Sequence, residues 1–172
     1  ETASNIFSGI VILVDKPFAV GDWILVGDVE GEVIDINFRS IKIRSLDKTV
    51  SVITNSKVCS SIIVNCAMRS TRPYKFTLGV TYNTSRAKLE QLMADLTAML
   101  EASPYVEKGS ALVRLTSFGD SSINLLVSAY LLTNQAGTFL QMQNDLNLNV
   151  MDVMQKNNVD FAFPSTTVYL SK

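Results

Sequence analysis

An α+β fold in two joined domains is predicted for this chain, on three observations. An apolar helical stretch over residues 1–14 is stopped abruptly by Asp15-Lys16-Pro17. Short runs of strand formers, separated by turn residues, fill residues 20–66. From residue 74 onward, strand and helix patterns alternate in the order β-α-β-β-α-β, the split βαβ arrangement of ferredoxin-like domains. A length of 172 residues suits one large domain or two small ones, and a hydrophobic content of 47% supplies the cores. The expected divisions are a helical segment at 1–15, a β-domain at 16–68 and an α+β domain at 69–172.

Residues 1–14 read as the end of a helix. Ile6, Ile10 and Leu13, with Phe7 and Val14, recur three, four or seven positions apart and so stack into stripes. The opposing face carries Ser4, Ser8 and Gly9, small enough for another helix to approach closely. An ordinary core helix would show the same stripe. No apolar run reaches the roughly 18–20 residues needed to cross a bilayer. The opening ETASN has neither an initiator Met nor the basic residues of a signal peptide, so the segment is expected to begin inside a longer protein.

The β-rich segment carries turn signals at Gly27-Asp28, Gly31-Glu32, Asp47-Lys48 and Thr54-Asn55-Ser56. Alternation is clean in SIKIRS, where Ile41 and Ile43 face one way and Lys42 and Arg44 the other. Four or five short strands in about 45 residues suit a small bent barrel or sandwich. Such barrels resemble the Sm-like fold, which by itself raises RNA binding. A net charge of −1 and a pI near 5.4 oppose that, because nucleic-acid binders show a clear basic excess.

A polar link, AMRSTRPYK at 67–75, holds Arg69, Arg72 and Lys75 and no acid, with Pro73 favouring an extended form. Beyond it, YKFTLGVTY leads into the helix SRAKLEQLMADLTAMLEAS. Leu89, Leu92, Met93, Leu96, Met99 and Leu100 form one stripe along it. Thr84 or Ser85 is its expected cap, and Pro104 marks its end. ALVRLTSF and SINLLVSAYLL follow as a hairpin turned at Gly119-Asp120. A second helix is expected from about Thr138 to Asn157, with Phe139, Met142, Leu146, Val150 and Val153 inward. The strand VDFAFPSTTVYL is expected to close the sheet.

Catalytic chemistry is conspicuously unprovided for. The chain has no histidine, which removes the commonest general base and metal ligand. Neither G-x-G-x-x-G nor G-x4-G-K-S/T occurs, so no cofactor and no nucleotide cradle is expected. Asp28, Glu30, Glu32 and Asp35 sit on a turn and adjacent strands, where solvated charge explains them; Asp152 and Asp160 read the same way. Cys59 and Cys66 match no metal or redox spacing and are expected as reduced, mostly buried thiols. An enzyme is not expected.

Five motifs occur in order: the joint SNIFSGIVILVDKPFAVGDWI (with Asn5, Gly9, Lys16, Pro17, Phe18, Gly21 and Asp22), then Gly31-x-Val33-x-x-Ile36, then Val52-Ile53-Thr54-Asn55-Ser56, then FGDSSIN at 118–124, and the closing DFAFPS-x-T from Asp160. Together they resemble the small-conductance mechanosensitive channel (MscS-like) family. Thr54 stands where the family has proline, which bears on the stiffness of that turn. The resemblance implies a homo-oligomeric ring, a heptamer, forming a hollow cytoplasmic vestibule below a pore in the inner membrane. It would release ions and small solutes on osmotic downshock. Residues 1–14 would be the lower half of the pore-lining helix, against membrane lipid through residues 1–16, with any gate residue upstream of Glu1. Gly9, Lys16, Pro17 and Phe18 would pack and joint that helix. The link would border the side openings, so Arg69, Arg72 and Lys75 are expected as portal lining, giving a positive potential and a lean toward anions. Pairing of these bases with carboxylates of a neighbouring subunit is the competing reading. A soluble oligomeric module, Sm-like or ligand-sensing, is the alternative for the whole chain.

Overall fold

The computed structural model describes residues 2–166, and its contacts divide the chain into two units, Glu1–Ser70 and Thr71–Lys172. The first unit opens with α1 (Thr2–Asp15). Strands β1 (Trp23–Val26), β2 (Val29–Ile36), β3 (Ser40–Arg44) and β4 (Val50–Thr54) then form an antiparallel meander. A short helix, α2 (Asn55–Ser60), leads to β5 (Ile63–Asn65), which returns to pair antiparallel with β1. The sheet order is β4-β3-β2-β1-β5. Alternate residues Ile24, Val26, Val33, Ile41, Ile43 and Ile53 fill its core, together with Ile12 of α1, Phe18 of the joint and Val58 of α2.

Two expectations about this unit change. Gly31-Glu32 does not turn the chain but lies inside β2. A Cβ at Gly31 would strike the Arg44 carbonyl, so glycine here permits close passage of β2 and β3 rather than reversal. Thr54-Asn55-Ser56 is likewise no simple turn. Thr54 ends β4 with extended backbone, and Asn55 begins α2. The segment SKVCS is too short to show a helical period, which is why the sequence leaves α2 unannounced.

In the second unit, β6 (Arg72–Val80), β7 (Leu112–Phe118) and β8 (Ile123–Leu131) form a sheet of order β6-β8-β7. Helices α3 (Arg86–Ala102) and α4 (Ala136–Lys156) supply the rest of its core. The Ser85 hydroxyl caps α3 by accepting the Lys88 amide. Leu89, Leu92, Leu96 and Leu100 are buried on one face, and burying each contributes about 1.5–3 kcal/mol. Helix α4 starts two residues earlier than Thr138 and buries Leu146, Val150 and Met154. The closing strand is reduced, among the described residues, to a bridge between Phe161 and Val80, flanked by Thr81 N–H to Asp160 and Ala162 N–H to Gly79. Pro164, with no N–H to offer a ladder, follows at once; residues 167–170 of the expected strand lie outside the described residues. The bridge is antiparallel on the free edge of β6, which is the edge a ferredoxin-like fold assigns to its last strand.

Candidate functional site

The apolar stripe of α1 faces away from its own domain. Ile6, Phe7, Ile10, Leu13 and Val14 are exposed, Phe7 and Val14 by 69% and 72%, while Asn5, Ser8, Gly9 and Ile12 are buried. The small and polar face is therefore the docked one, and the helix it lies against is α2 of the same chain. Asn5 is central to the dock. Its side-chain Oδ1 accepts the Ser56 amide at 3.0 Å, and its backbone carbonyl accepts from Asn55 Nδ2 at 3.4 Å. Asn55, fully buried, also donates to the Asn37 carbonyl at 2.9 Å, while its Oδ1 finds no partner among the described residues. The Cys59 thiol lies 3.7 Å from the Ser8 carbonyl. Gly9 passes so close that a Cβ would sit 2.6 Å from the Phe38 carbonyl oxygen and 2.7 Å from Asn55 Nδ2. Any side chain there would displace the helix.

The joint is clamped on the β-domain. The Lys16 amide still reaches the Ile12 carbonyl at 3.0 Å, but Lys16 itself adopts φ +46°, a left-handed stop that turns the chain. Pro17 follows and cannot extend the helix. Its carbonyl accepts Asn65 Nδ2 at 3.0 Å, and the same amide donates to Asp22 Oδ2 at 2.9 Å. Asp22 also accepts the Ala19 amide at 2.9 Å, and Gly21 and Asp22 pair with Val33 of β2. Phe18 is 3% exposed and inserted in the β-domain core. Helix α1 thus reaches the sheet through a short segment with both ends fastened.

Of the three link bases, Arg69 belongs to the first unit, where it is half-buried and its Nε lacks a partner among the described residues. Arg72 and Lys75 belong to the second unit and lie on opposite faces of β6. Arg72 is turned to the helix side, donating to the Asn134 carbonyl at 3.1 Å and lying 5.8 Å from the centre of the Phe139 ring. Lys75 stands exposed on the other face, in register with Ser128 and Leu112. Strands β6, β7 and β8 hold Arg72, Lys75 and Arg114 and no carboxylate. Arg114, which the pattern did not single out, is exposed on β7 and donates to the Val113 carbonyl. Alternation by two places Arg72 and Lys75 on opposite faces, so the sequence spacing already carried this signal.

Elsewhere several carboxylates are occupied by folding. Glu30 accepts from the Trp23 indole, and Asp35 is held by Lys42 and Asn37, which keep its carboxyl below the usual range. Glu101 accepts the Gly109 and Ala111 amides, which lower its pKa in turn. Among the described residues no cluster of His, Cys, Asp or Glu is arranged for a metal ion. Of the two thiols expected to be buried, Cys59 is exposed, at the rim of the α1–α2 dock beside the Ser8 carbonyl, and Cys66 is half-buried. No helix of the described residues is long and apolar enough to cross a membrane.

Fold and joint together define a class: a two-domain α+β protein led by a docked helix with an outward apolar face. Comparison with known proteins narrows it. Residues 1–68 match the family described as mechanosensitive ion channel, beta-domain, and residues 74–161 match mechanosensitive ion channel MscS, C-terminal. Relatives include an MscS family protein of Aquifex aeolicus, 39% identical over all of this chain and 47% of its own length. The low conductance mechanosensitive channel YnaI of Escherichia coli is 34% identical over 99% of this chain and 50% of its own. The small-conductance mechanosensitive channel MscMJ of Methanocaldococcus jannaschii is 34% identical over 100% and 49%. In fold alone, the closed-state MscS structure of Helicobacter pylori superposes with a TM-score of 0.80 at 22% identity, covering 99% of this chain and 66% of that one. Arabidopsis thaliana MSL1 A320V gives 0.87 at 21%, covering 95% and 61%. This chain belongs to the MscS family of mechanosensitive channels, a family of ion channels rather than enzymes. It spans about half the length of the curated relatives it matches.

Proposed function

We propose that this chain is the cytoplasmic-side portion of a tension-gated channel subunit, assembled as a homo-oligomeric ring of seven in the inner membrane. The ring passes ions and small solutes when osmotic downshock stretches the bilayer. The observation that carries this reading is the inversion of α1. A soluble domain turns the apolar side of its helix inward, whereas this one buries Asn5, Ser8 and Gly9 with Ile12 and presents Ile6, Phe7, Ile10, Leu13 and Val14. An outward face of that kind is stable when lipid or neighbouring subunits cover it. The clamped joint at Lys16, Pro17 and Phe18 then couples movement of the helix to the β-domain. Permeating ions meet the second unit, where Lys75 is the exposed link base and biases the path toward anions.

The deciding experiment is a patch-clamp record of the full-length protein in a membrane stripped of other tension-gated channels, with suction raised to rupture. Discrete conductance steps that appear only under suction are expected. Silence up to rupture removes tension gating and leaves a soluble or ligand-sensing oligomer as the reading of the same fold.

A further inference from the structure

The turn between β2 and β3 exposes an aromatic and a cation that folding does not account for. Phe38 is 68% exposed. The exposed Arg39 guanidinium makes no hydrogen bond or ion pair among the described residues. Yet the turn beneath them is fixed at several points. The Asn37 amide donates to the Ser40 carbonyl at 2.9 Å, the Asn55 amide donates to the Arg39 carbonyl at 2.9 Å, and Asn55 Nδ2 donates to the Asn37 carbonyl at 2.9 Å. A rigid backbone that holds an uncovered phenylalanine forward is a contact in waiting rather than a slack loop.

The turn also has a defined place beside α1, because the Phe38 carbonyl lies against Gly9. With about 100° between successive residues, and Gly9 taken as zero, Leu13 and Ile6 fall at about 40° and 60°. Ile10 follows at about 100°, and Val14 and Phe7 at about 140° and 160°. The docked residues Asn5, Ile12 and Ser8 fall on the other side of zero. The Phe38 backbone therefore meets α1 at zero, on the flank where the docked face borders the exposed stripe, and its ring is exposed, neither docked nor buried. No charged residue occurs from Thr2 to Val14. Asp15 falls at about −120°, away from this flank, and Asp35 is engaged by Lys42 and Asn37. Among the described residues, the exposed cation adjoining Phe38 is Arg39, so the complementary covering layer is apolar with an anionic rim.

We infer that the β2–β3 turn is a second membrane contact of this chain: Phe38 enters the interfacial layer of the bilayer beside α1, and Arg39 binds the phosphate of an anionic lipid. The inference rests on the reading of α1 as a helix at the membrane. Aromatic rings favour the bilayer interface, and a basic residue at an anionic leaflet favours binding about fivefold. Bilayer tension then acts on the β-sheet directly through this turn, in addition to acting through the joint.

Lipid quenching tests it in the full-length protein with its other cysteines replaced by serine. An environment-sensitive fluorophore is attached at Phe38→Cys or, separately, at Phe7→Cys. The protein is reconstituted in phosphatidylcholine vesicles, with and without phosphatidylglycerol, either lipid brominated on its acyl chains. Quenching at both positions is expected. At position 38, brominated phosphatidylglycerol should be favoured over brominated phosphatidylcholine about fivefold, a preference lost in Arg39→Glu and kept in Arg39→Lys. Quenching at 7 with an aqueous, unquenched label at 38 overturns the inference and leaves the channel reading standing. A blue-shifted label at 38 that lipid does not quench, with cross-linking to a neighbouring subunit, also overturns it and assigns the turn to a contact between copies. Absence of quenching at both positions overturns the inference and the membrane placement of α1 together.

Discussion

At Gly9, single atoms decide where α1 can lie. The Phe38 carbonyl and the Asn55 amide already occupy the space a methyl group would need, and both belong to fixed backbone or a buried side chain. Gly9→Ala is therefore expected to cost about 1–3 kcal/mol of dock stability, in the range of overpacking a filled core. Hydrogen exchange of the Ser56 amide, which donates to Asn5, would report the loss; unchanged protection would show that the helix shifts without penalty. Glu101 works at the same scale in the second unit. The Gly109 amide, then the Ala111 amide, hold its carboxyl below the ordinary 4.5. A carboxyl whose folded pKa is depressed adds stability above its unfolded pKa. That increment falls away as pH drops below 4.5 and is gone beneath the folded value. Urea midpoints between pH 7 and pH 3 should thus fall less steeply in Glu101→Gln than in the unmodified chain.

At the level of elements, the joint matters because a helix transmits force only as far as its ends are fastened. The left-handed Lys16 stops α1, Pro17 prevents its continuation, and Asn65 of β5 ties the Pro17 carbonyl to the Asp22 carboxylate. Asn65→Ala removes these two bonds and the one that its Oδ1 accepts from the Ala67 amide, and is expected to cost about 2–3 kcal/mol, the sum of three modest hydrogen bonds. In the channel reading, α1 then moves with less pull on the sheet, so the suction needed for half-maximal opening should change while single-channel conductance does not. An equal change in both would place the role of Asn65 elsewhere. Helices α3 and α4 were legible because their apolar residues recur along long, regular stripes. Helix α2 was not, since six residues are too few for a period to declare itself.

For the whole molecule, the bearing of charge on ion passage turns on which face of the second sheet each base occupies. Arg72 is held by the Asn134 carbonyl, just before α4, and by the Phe139 ring of α4, whereas Lys75 is exposed in register with Ser128 and Leu112. Lys75→Glu is accordingly expected to move the reversal potential of the full-length channel in a salt gradient toward cations. Arg72→Glu should move it less and lower thermal stability instead. Equal shifts from the two variants would return Arg72 to the ion path, and no shift from Lys75→Glu would remove the portal bias altogether.

The sequence by itself determined the order of the long helices and of the main strands, the stripes of α3 and α4, the stop at Lys16-Pro17 and membership of the family, because periodicity, turn chemistry and motif order are local properties. It also marked Gly9 as a point of close approach. Only the tertiary structure decided what approaches it, which side of α1 is turned outward, and that Gly31 lies within a strand. The amphipathic pattern of α1 is symmetric to inspection: an apolar stripe opposite a small one fits a buried helix as well as an inverted one. The choice is made by Asn55 and Ser56, about fifty residues away, whose amides are satisfied by Asn5 only when the polar face is docked. Hydrogen bonds between distant segments leave no period in the chain, and that is why this part of the site had to be seen folded.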